Sequence, residues 1–493
     1  VQPIRVWGGS RREALRSASM TSLDDYTPYC GLKHDARGPR DRIVKVESAP
    51  HICISAPTGT GKTRRIFAPA AVVHPGPVVA VSSKPDLAKL IFQRRLGGVR
   101  GVLDFSAKGN PVWPMDVRKM VSDPTATIAT ADEALAVADT MLATGGVGYG
   151  GASGGSAVSA GGLWESTASA PLAALLYAAS PQGNGLGMPW VLNAAENYGM
   201  PDPAAEVAEP VPDESWMAAI DWCPHALLTD PLVSMLAMDP RMRDSVAITA
   251  RKAIRPWLRL GLAAAARNAA DPITQLDVHT FDVSMLDDPQ TTICVIAPHT
   301  GGVAGAAVAL IDSIIRHFEN KAANDELTEP LLLQLGEVCN SCPLPGLINY
   351  VGAARGSGIR IQAEVQASSQ YDHVFGPKYA DALRDIFPGF LIMRGAHERH
   401  LLEQASHWEG LSTRRTEGYE PQSGSRGQSS VFGAQIEWQE FLPQDLNEAR
   451  LIVRGTGGER VWIPDWSDFL KIYDKAVANQ LTRHKAHGGP AGR

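Results

Sequence analysis

Apolar residues in this chain fall into two rhythms, and their order predicts a layered α/β protein. Short, mostly apolar runs occupy 51–55, 78–83, 102–105, 292–297, 331–335 and 390–393, with two more at 451–454 and 460–463, and 359–365 is read as a further strand. Runs of this length, rich in Val and Ile and bounded by Gly, Pro or charge, read as buried strands. Between the first of them lie helical segments, 64–73 and the stretch opening at Asp86, which is expected to cap its helix. Strand, helix, strand in that order predicts a parallel sheet with crossover helices.

The rhythm changes near Pro114. Helical patterns then dominate: 131–143, 163–180, 191–198, 218–228, 231–237 and 244–262. The strand rhythm resumes at 292, followed by an amphipathic helix over 305–320. The expected organisation is a lead-in segment at 1–48, a nucleotide-binding domain made of 49–115 and 277–480, an all-α insertion at 116–276, and a basic tail at 481–493. The Gly/Ser-rich stretches 145–162 and 409–432 are expected to be mobile loops.

Composition narrows the class. The 493-residue chain is 44% hydrophobic and 20% charged, which fits globular domains with sizeable cores rather than a disordered chain. A net charge of −6 gives no global case for nucleic acid, so any such contact needs a local basic channel. The six cysteines are scattered, some in apolar runs, and are expected to be reduced. No apolar run is long enough to span a bilayer, and residues 1–16 lack the apolar core of a signal peptide. The chain opens on Val1, so a membrane anchor, if there is one, is expected upstream.

The most informative stretch is Ala56-Pro57-Thr58-Gly59-Thr60-Gly61-Lys62-Thr63. It follows the first strand and precedes a helix, which is the setting of a phosphate-binding loop. Gly59 and Gly61 let backbone N–H groups approach an anion. Lys62 reaches β- and γ-phosphates, and the Thr63 hydroxyl is a ligand for Mg²⁺. Pro57, Thr58 and Thr60 complete the loop. The expected ligands are therefore ATP and Mg²⁺.

Such a site also needs a carboxylate at a neighbouring strand end. The run 331–335 delivers Gly336 and Glu337 there, with Glu337 the expected water-activating base. Gly336 stands where an aspartate is expected: either another acid assists the metal, or Mg²⁺ binding is weakened, or the chain is catalytically impaired, in which case Gly336→Asp is expected to raise ATPase activity in the presence of DNA. Gln366 ends the next strand, where it either senses the γ-phosphate or is a polar terminus. Arg355, on a Gly-rich turn, is either a surface arginine or a finger reaching a neighbouring subunit's nucleotide. Cys339 and Cys342 have C-x-x-C spacing, but no second pair completes a metal set, so both are read as packed side chains. His397-Glu398-Arg399-His400 lacks the spacing that puts two His on one helical face and is set aside. Trp164 and Trp222 read more readily as core than as base-stacking platforms.

Taken together these motifs resemble the type IV secretion coupling proteins, the TraG/TraD-like conjugation ATPases, in their actinobacterial form. The resemblance rests on 56–63, on Ser83-Lys84-Pro85-Asp86-Leu87, on Asn110-Pro111 and on Trp164 opening a helix. Its most specific part is Leu335-Gly336-Glu337, Pro343-Leu344-Pro345, Ala354-Arg355-Gly356-Ser357-Gly358 and Val365-Gln366-Ala367-Ser368-Ser369-Gln370. It implies a RecA-like P-loop NTPase domain with an all-helical inserted domain, assembled as a ring, typically a hexamer, with ATP between subunits. By position it gives Glu337 the base role, Gln366 the sensor role and Arg355 the trans-acting role. Implied partners are further copies of the chain, DNA with a relaxase or other secreted cargo, and secretion-channel components. The implied location is the cytoplasmic face of the membrane. The alternatives are a generic RecA- or FtsK-like DNA translocase, and an ATP-binding substrate receptor with impaired hydrolysis, which Gly336 motivates.

Overall fold

Continuous apolar runs become central strands because a parallel sheet covered on both faces leaves no position for a solvated side chain. A computed structural model describes residues 2–3, 27–35, 38–44, 48–106, 111–145, 162–200, 210–270, 278–298, 302–419, 426–455 and 457–487. Most of the lead-in segment, the Gly/Ser-rich tract at 146–161, Asn110 and the end of the basic tail lie outside them. The strands run β1 (Gln2–Pro3), β2 (Leu32–Asp35), β3 (Gly38–Ile43), β4 (Ile52–Ser55), β5 (Val78–Ser82), β6 (Arg100–Asp104), β7 (Arg118–Val121) and β8 (Val278–Thr280). They continue as β9 (Thr292–Ile296), β10 (Leu331–Leu335), β11 (Ile359–Val365), β12 (Gly389–Met393), β13 (Leu411–Tyr419), β14 (Arg426–Ala434), β15 (Glu448–Val453) and β16 (Gly458–Trp462).

The chain divides into two compact units. The first takes in Val1–Pro75, Arg360–Ser368 and Arg384–Arg493. Its strands are ordered β1-β3-β2-β16-β15-β12-β4-β11. The centre is parallel: Ile52 of β4 sits opposite Gln362 of β11 on one side and Gly389 of β12 on the other. From β12 outward the pairing is antiparallel, through β15, β16 and β2. The lead-in segment thus contributes strands, where the sequence reads as irregular.

The second unit is Gly76–Ile359 with Ser369–Leu383. Its order is β10-β5-β9-β6-β7-β8, parallel throughout. Every residue of β9 and β10 is buried. Each fully buried Leu, Ile or Val contributes about 1.5–3 kcal/mol, so these runs fix the layer. β7 opens the stretch expected to be all-helical, and β8 follows it.

Between β7 and β8 the described elements are helices. Thr130 starts the first, Ala131–Thr144: its Oγ1 accepts from Glu133 N–H at 3.2 Å, and Glu133 Oε2 accepts from Thr130 N–H at 3.1 Å. Leu172, Leu175 and Leu176 of Leu163–Ala179 are buried. The single helix expected over 218–228 is broken into Trp216–Trp222 and Ala226–Leu236. Pro224 causes the break, since it lacks an N–H and forces Cys223 into extended backbone (φ −116°, ψ 102°). Pro231, read as a helix start, sits inside the second piece. Trp164 and Trp222 are exposed rather than core. Asp86 makes no cap hydrogen bond; it lies in the first turn of Asp86–Phe92, where its charge still favours the helix's positive end.

The stretch 409–432, expected to be a mobile loop, carries the antiparallel hairpin β13–β14, in register from Leu411↔Ala434 to Tyr419↔Arg426. A ladder is satisfied by backbone pairing, which a Gly/Ser-rich composition does not forbid. No helix among the described residues is long and apolar enough to cross a membrane.

Candidate functional site: a phosphate-binding loop and its surroundings

The loop begins where β4 ends. Ala56 N–H donates to Val365 O at 3.1 Å, so the exit of β4 is tied to the exit of β11. Gly59 and Gly61 have φ of +86° and +84°, backbone that L side chains rarely adopt, which is why both positions are glycine. Among the described residues, none accepts a hydrogen bond from the N–H groups of Gly59 through Thr63. Thr58 and Gly59 are exposed. A row of unspent donors at the mouth of a helix is an anion cradle.

Lys62 is 8% exposed and turned inward. Its ammonium donates to Ala56 O at 2.6 Å and Pro57 O at 3.3 Å, and pairs with Glu364 Oε1 at 3.1 Å. Thr60 Oγ1 donates to Pro57 O at 2.9 Å, closing the loop on itself. Thr63 is half-buried and opens a wide turn, Thr63–Phe67, in which Ala68 N–H donates to Thr63 O, five residues back. The regular helix Ala68–Val73 continues from there. Arg64 pairs with Asp465 at 2.9 Å, and Arg65 donates to Asn447 Oδ1 at 2.6 Å and Ile463 O at 2.9 Å.

Gln366 follows β11 and is half-buried, in the same unit as Lys62. Sequence reasoning missed two neighbours of this region. One is Glu364. The other is Glu398, 5% exposed, which accepts from Ser55 Oγ at 2.6 Å and from Ser368 N–H and Oγ at 2.7 Å each. A buried carboxylate holding hydroxyls from two strand exits fixes them together. Nothing in the local spacing around Glu398 announces this, because its partners are distant in sequence.

Glu337 and Arg355 belong to the second unit and are placed within it. Glu337 follows β10 with φ +51°, one of two non-glycine residues with positive φ among those described. Its carbonyl accepts from Asn340 N–H at 2.8 Å and Ser341 N–H at 2.9 Å, opening a short helix, Val338–Ser341. Such strain costs on the order of 1–3 kcal/mol and concentrates at functional positions. Gly336 donates to Val81 O at 2.9 Å, and a Cβ there would lie 2.7 Å from that same oxygen. An aspartate therefore has no room unless β5 shifts. Arg355 is exposed on the turn after Leu347–Ala353, closed by Ile359 N–H donating to Ala354 O at 2.9 Å. The described residues hold no group of His, Cys, Asp and Glu suited to a metal by itself, and all six cysteines are free and buried. Cys339 and Cys342 are both packed inside the second unit.

In the second unit, Asp312 is a buried junction. It accepts from Thr140 Oγ1 at 3.1 Å and from Tyr350 Oη, and pairs with Arg316 at 2.9 Å. The first helix of the helical part and the helix preceding Arg355 meet at this one carboxylate.

A parallel α/β sheet with a Gly-rich loop between strand and helix, a strained carboxylate after another strand, and helices between β7 and β8 defines a RecA-like P-loop NTPase fold with a helical domain. The comparisons agree. Residues 330–449 match the family described as the TraM recognition site of TraD and TraG, so this part of the chain is TraG/TraD-like. Among solved structures, the bacterial conjugative coupling protein TrwBdeltaN70, in an unbound monoclinic form, is 17% identical, with 88% of each chain covered and a TM-score of 0.54. The plasmid coupling protein TrwB in complex with ADP and Mg²⁺ is 16% identical, with 94% of each chain covered and a TM-score of 0.52. The same figures hold for TrwB with a non-hydrolysable ATP analogue, ADPNP. A comparison with curated protein sequences gives no match.

Proposed function

We propose that this chain is the motor portion of an ATP-driven coupling protein that delivers DNA, with an attached relaxase or other protein cargo, to a type IV secretion channel. The observation that carries the reading is the cradle: a buried Lys62 behind a row of N–H groups, Gly59 to Thr63, that no described protein acceptor uses. The TraG/TraD-like match over 330–449 supports the cargo class and the channel partner. The nucleotide complexes of TrwB support ATP and Mg²⁺ as ligands.

In this reading Pro57, Thr58, Thr60 and the glycines shape the loop, and Lys62 with the N–H row binds the β- and γ-phosphates. The Thr63 hydroxyl would be the chain's ligand to Mg²⁺, which when bound would offset phosphate charge. Glu337 takes the proton of the attacking water as its oxygen bonds to the γ-phosphorus and the bond to ADP breaks. Gln366 orients that water. Arg355, exposed on its turn, reaches the nucleotide of the next subunit in a ring, a hexamer, and offsets charge on the transferring group. The ring works at the cytoplasmic face of the membrane. The segments 49–115 and 277–480 form the motor, and the helices of 116–276 select the cargo.

One observation favours a second reading, an ATP-binding receptor without turnover: Gly336 brings no carboxylate and leaves no space for one. Two measurements separate the readings. Titration with a fluorescent ATP analogue gives tight binding that Lys62→Ala weakens roughly 100-fold or more. DNA-stimulated hydrolysis at roughly 1 per second, rising steeply with protein concentration, supports the motor with Arg355 acting in trans. Binding without hydrolysis leaves the receptor, and no binding by the folded protein removes both.

A further inference from the structure

We propose that Glu364 is an internal counter-ion that occupies Lys62 in the nucleotide-free protein, is displaced by incoming phosphates, and so sets nucleotide affinity. The proposal rests on the reading of 56–63 as a nucleoside-triphosphate site and adds a residue to it.

An ammonium has three donors. Lys62 donates to Ala56 O at 2.6 Å and to Pro57 O at 3.3 Å, and its ammonium forms an ion pair with Glu364 Oε1 at 3.1 Å. Its charge is neutralised inside the protein, so an incoming phosphate gains the full attraction of the ammonium only by displacing a partner. The two carbonyls belong to the loop and move with it. The carboxylate belongs to a different strand and carries the same sign of charge as the phosphate, so it is the partner that must yield.

The fold holds that carboxylate in place. β11 pairs with β4 in fixed parallel register, Glu364 opposite Ile54, and Ala56 N–H locks onto Val365 O at 3.1 Å. Glu364 therefore cannot follow Lys62 if the ammonium swings outward. Both side chains are 9% exposed, so water neither screens the pair nor replaces a lost partner. The neighbouring Gln362 of β11 is committed elsewhere: its Nε2 donates to Tyr29 O at 2.9 Å.

Two consequences are measurable. Without the carboxylate, the free protein holds a buried cation short of its counter-charge, which an incoming phosphate supplies. The variants Glu364→Gln, nearly isosteric, and Glu364→Ala should each bind a fluorescent ATP analogue about tenfold to a hundredfold more tightly than the wild type. Their melting temperature should fall in the free state and return to the wild-type value with saturating nucleotide, so the nucleotide-induced rise widens. A purely structural role lowers both melting temperatures equally and leaves Kd unchanged; that pattern, or weaker binding in both variants, overturns the proposal. If neither the folded wild type nor the variants bind, the nucleotide-site reading fails and takes the proposal with it. Unchanged affinity in a wild type and variants that all bind overturns the proposal alone.

Discussion

Two strand exits each carry a glycine and, further along, a charged residue, and the glycines are there for different reasons. After β4, Gly59 has φ +86° and a Cβ there would meet nothing within 4 Å. Its requirement is conformational. After β10, Gly336 has no unusual φ, but a Cβ would press within 2.7 Å of Val81 O. Its requirement is space. At the second exit the unusual backbone falls on the charged residue itself, Glu337 at φ +51°. One exit thus spends glycine on shaping a cradle. The other spends it on letting β10 approach β5, and leaves the strain on the residue proposed to do chemistry. The geometry reverses the expectation that Gly336→Asp raises activity: the missing carboxylate is not a simple vacancy.

The largest effect that tests this contrast is Glu337→Gln. Loss of a general base costs about 10²- to 10⁴-fold in kcat, while the Kd for an ATP analogue stays at the wild-type value. Equal loss in both quantities would merge the two exits into one binding function. Next in size, Gly336→Ala and Gly336→Asp lower stability by about 1–3 kcal/mol through overpacking, read in a urea melt, with no gain in hydrolysis. Gly59→Ala costs about 1–2 kcal/mol from its left-handed backbone alone, and its damage appears in nucleotide affinity. A faster Gly336→Asp enzyme of normal stability would break the comparison. The smallest expected signal is chemical. Burial pushes the Cys339 thiol up to about 12 and raises that of Cys342 as well. Both thiols therefore stay protonated at pH 8, and a thiol-specific disulfide reagent should label neither until denaturant is added.

The central strands and the loop 56–63 were legible because burial on both faces and a Gly-rich turn each leave a local signature. The hairpin β13–β14 was not, because pairing along a ribbon needs no continuous apolar run. Glu364 was visible only in disguise. Arg360, Gln362 and Glu364 alternate along β11, a pattern that ordinarily marks a solvated face, yet all three are buried. Polar alternation inside a strand that ends at a site is the signal that would have found it. Glu398 left no such trace, since Ser55 and Ser368 are brought to it by the sheet rather than by spacing.

The wide turn at Thr63–Phe67 has a consequence for the register of the helix that follows it. A span closed five residues back holds one residue more than a regular helical turn, and so behaves as a single-residue insertion absorbed without a loop. Counting forward from Lys62 in steps of a regular helix misplaces Ile66 and Phe67, which are buried, by about 100° around the axis. A deletion at Arg64 or Arg65 rotates every buried side chain of Ala68–Val73 away from its layer while leaving the loop sequence untouched.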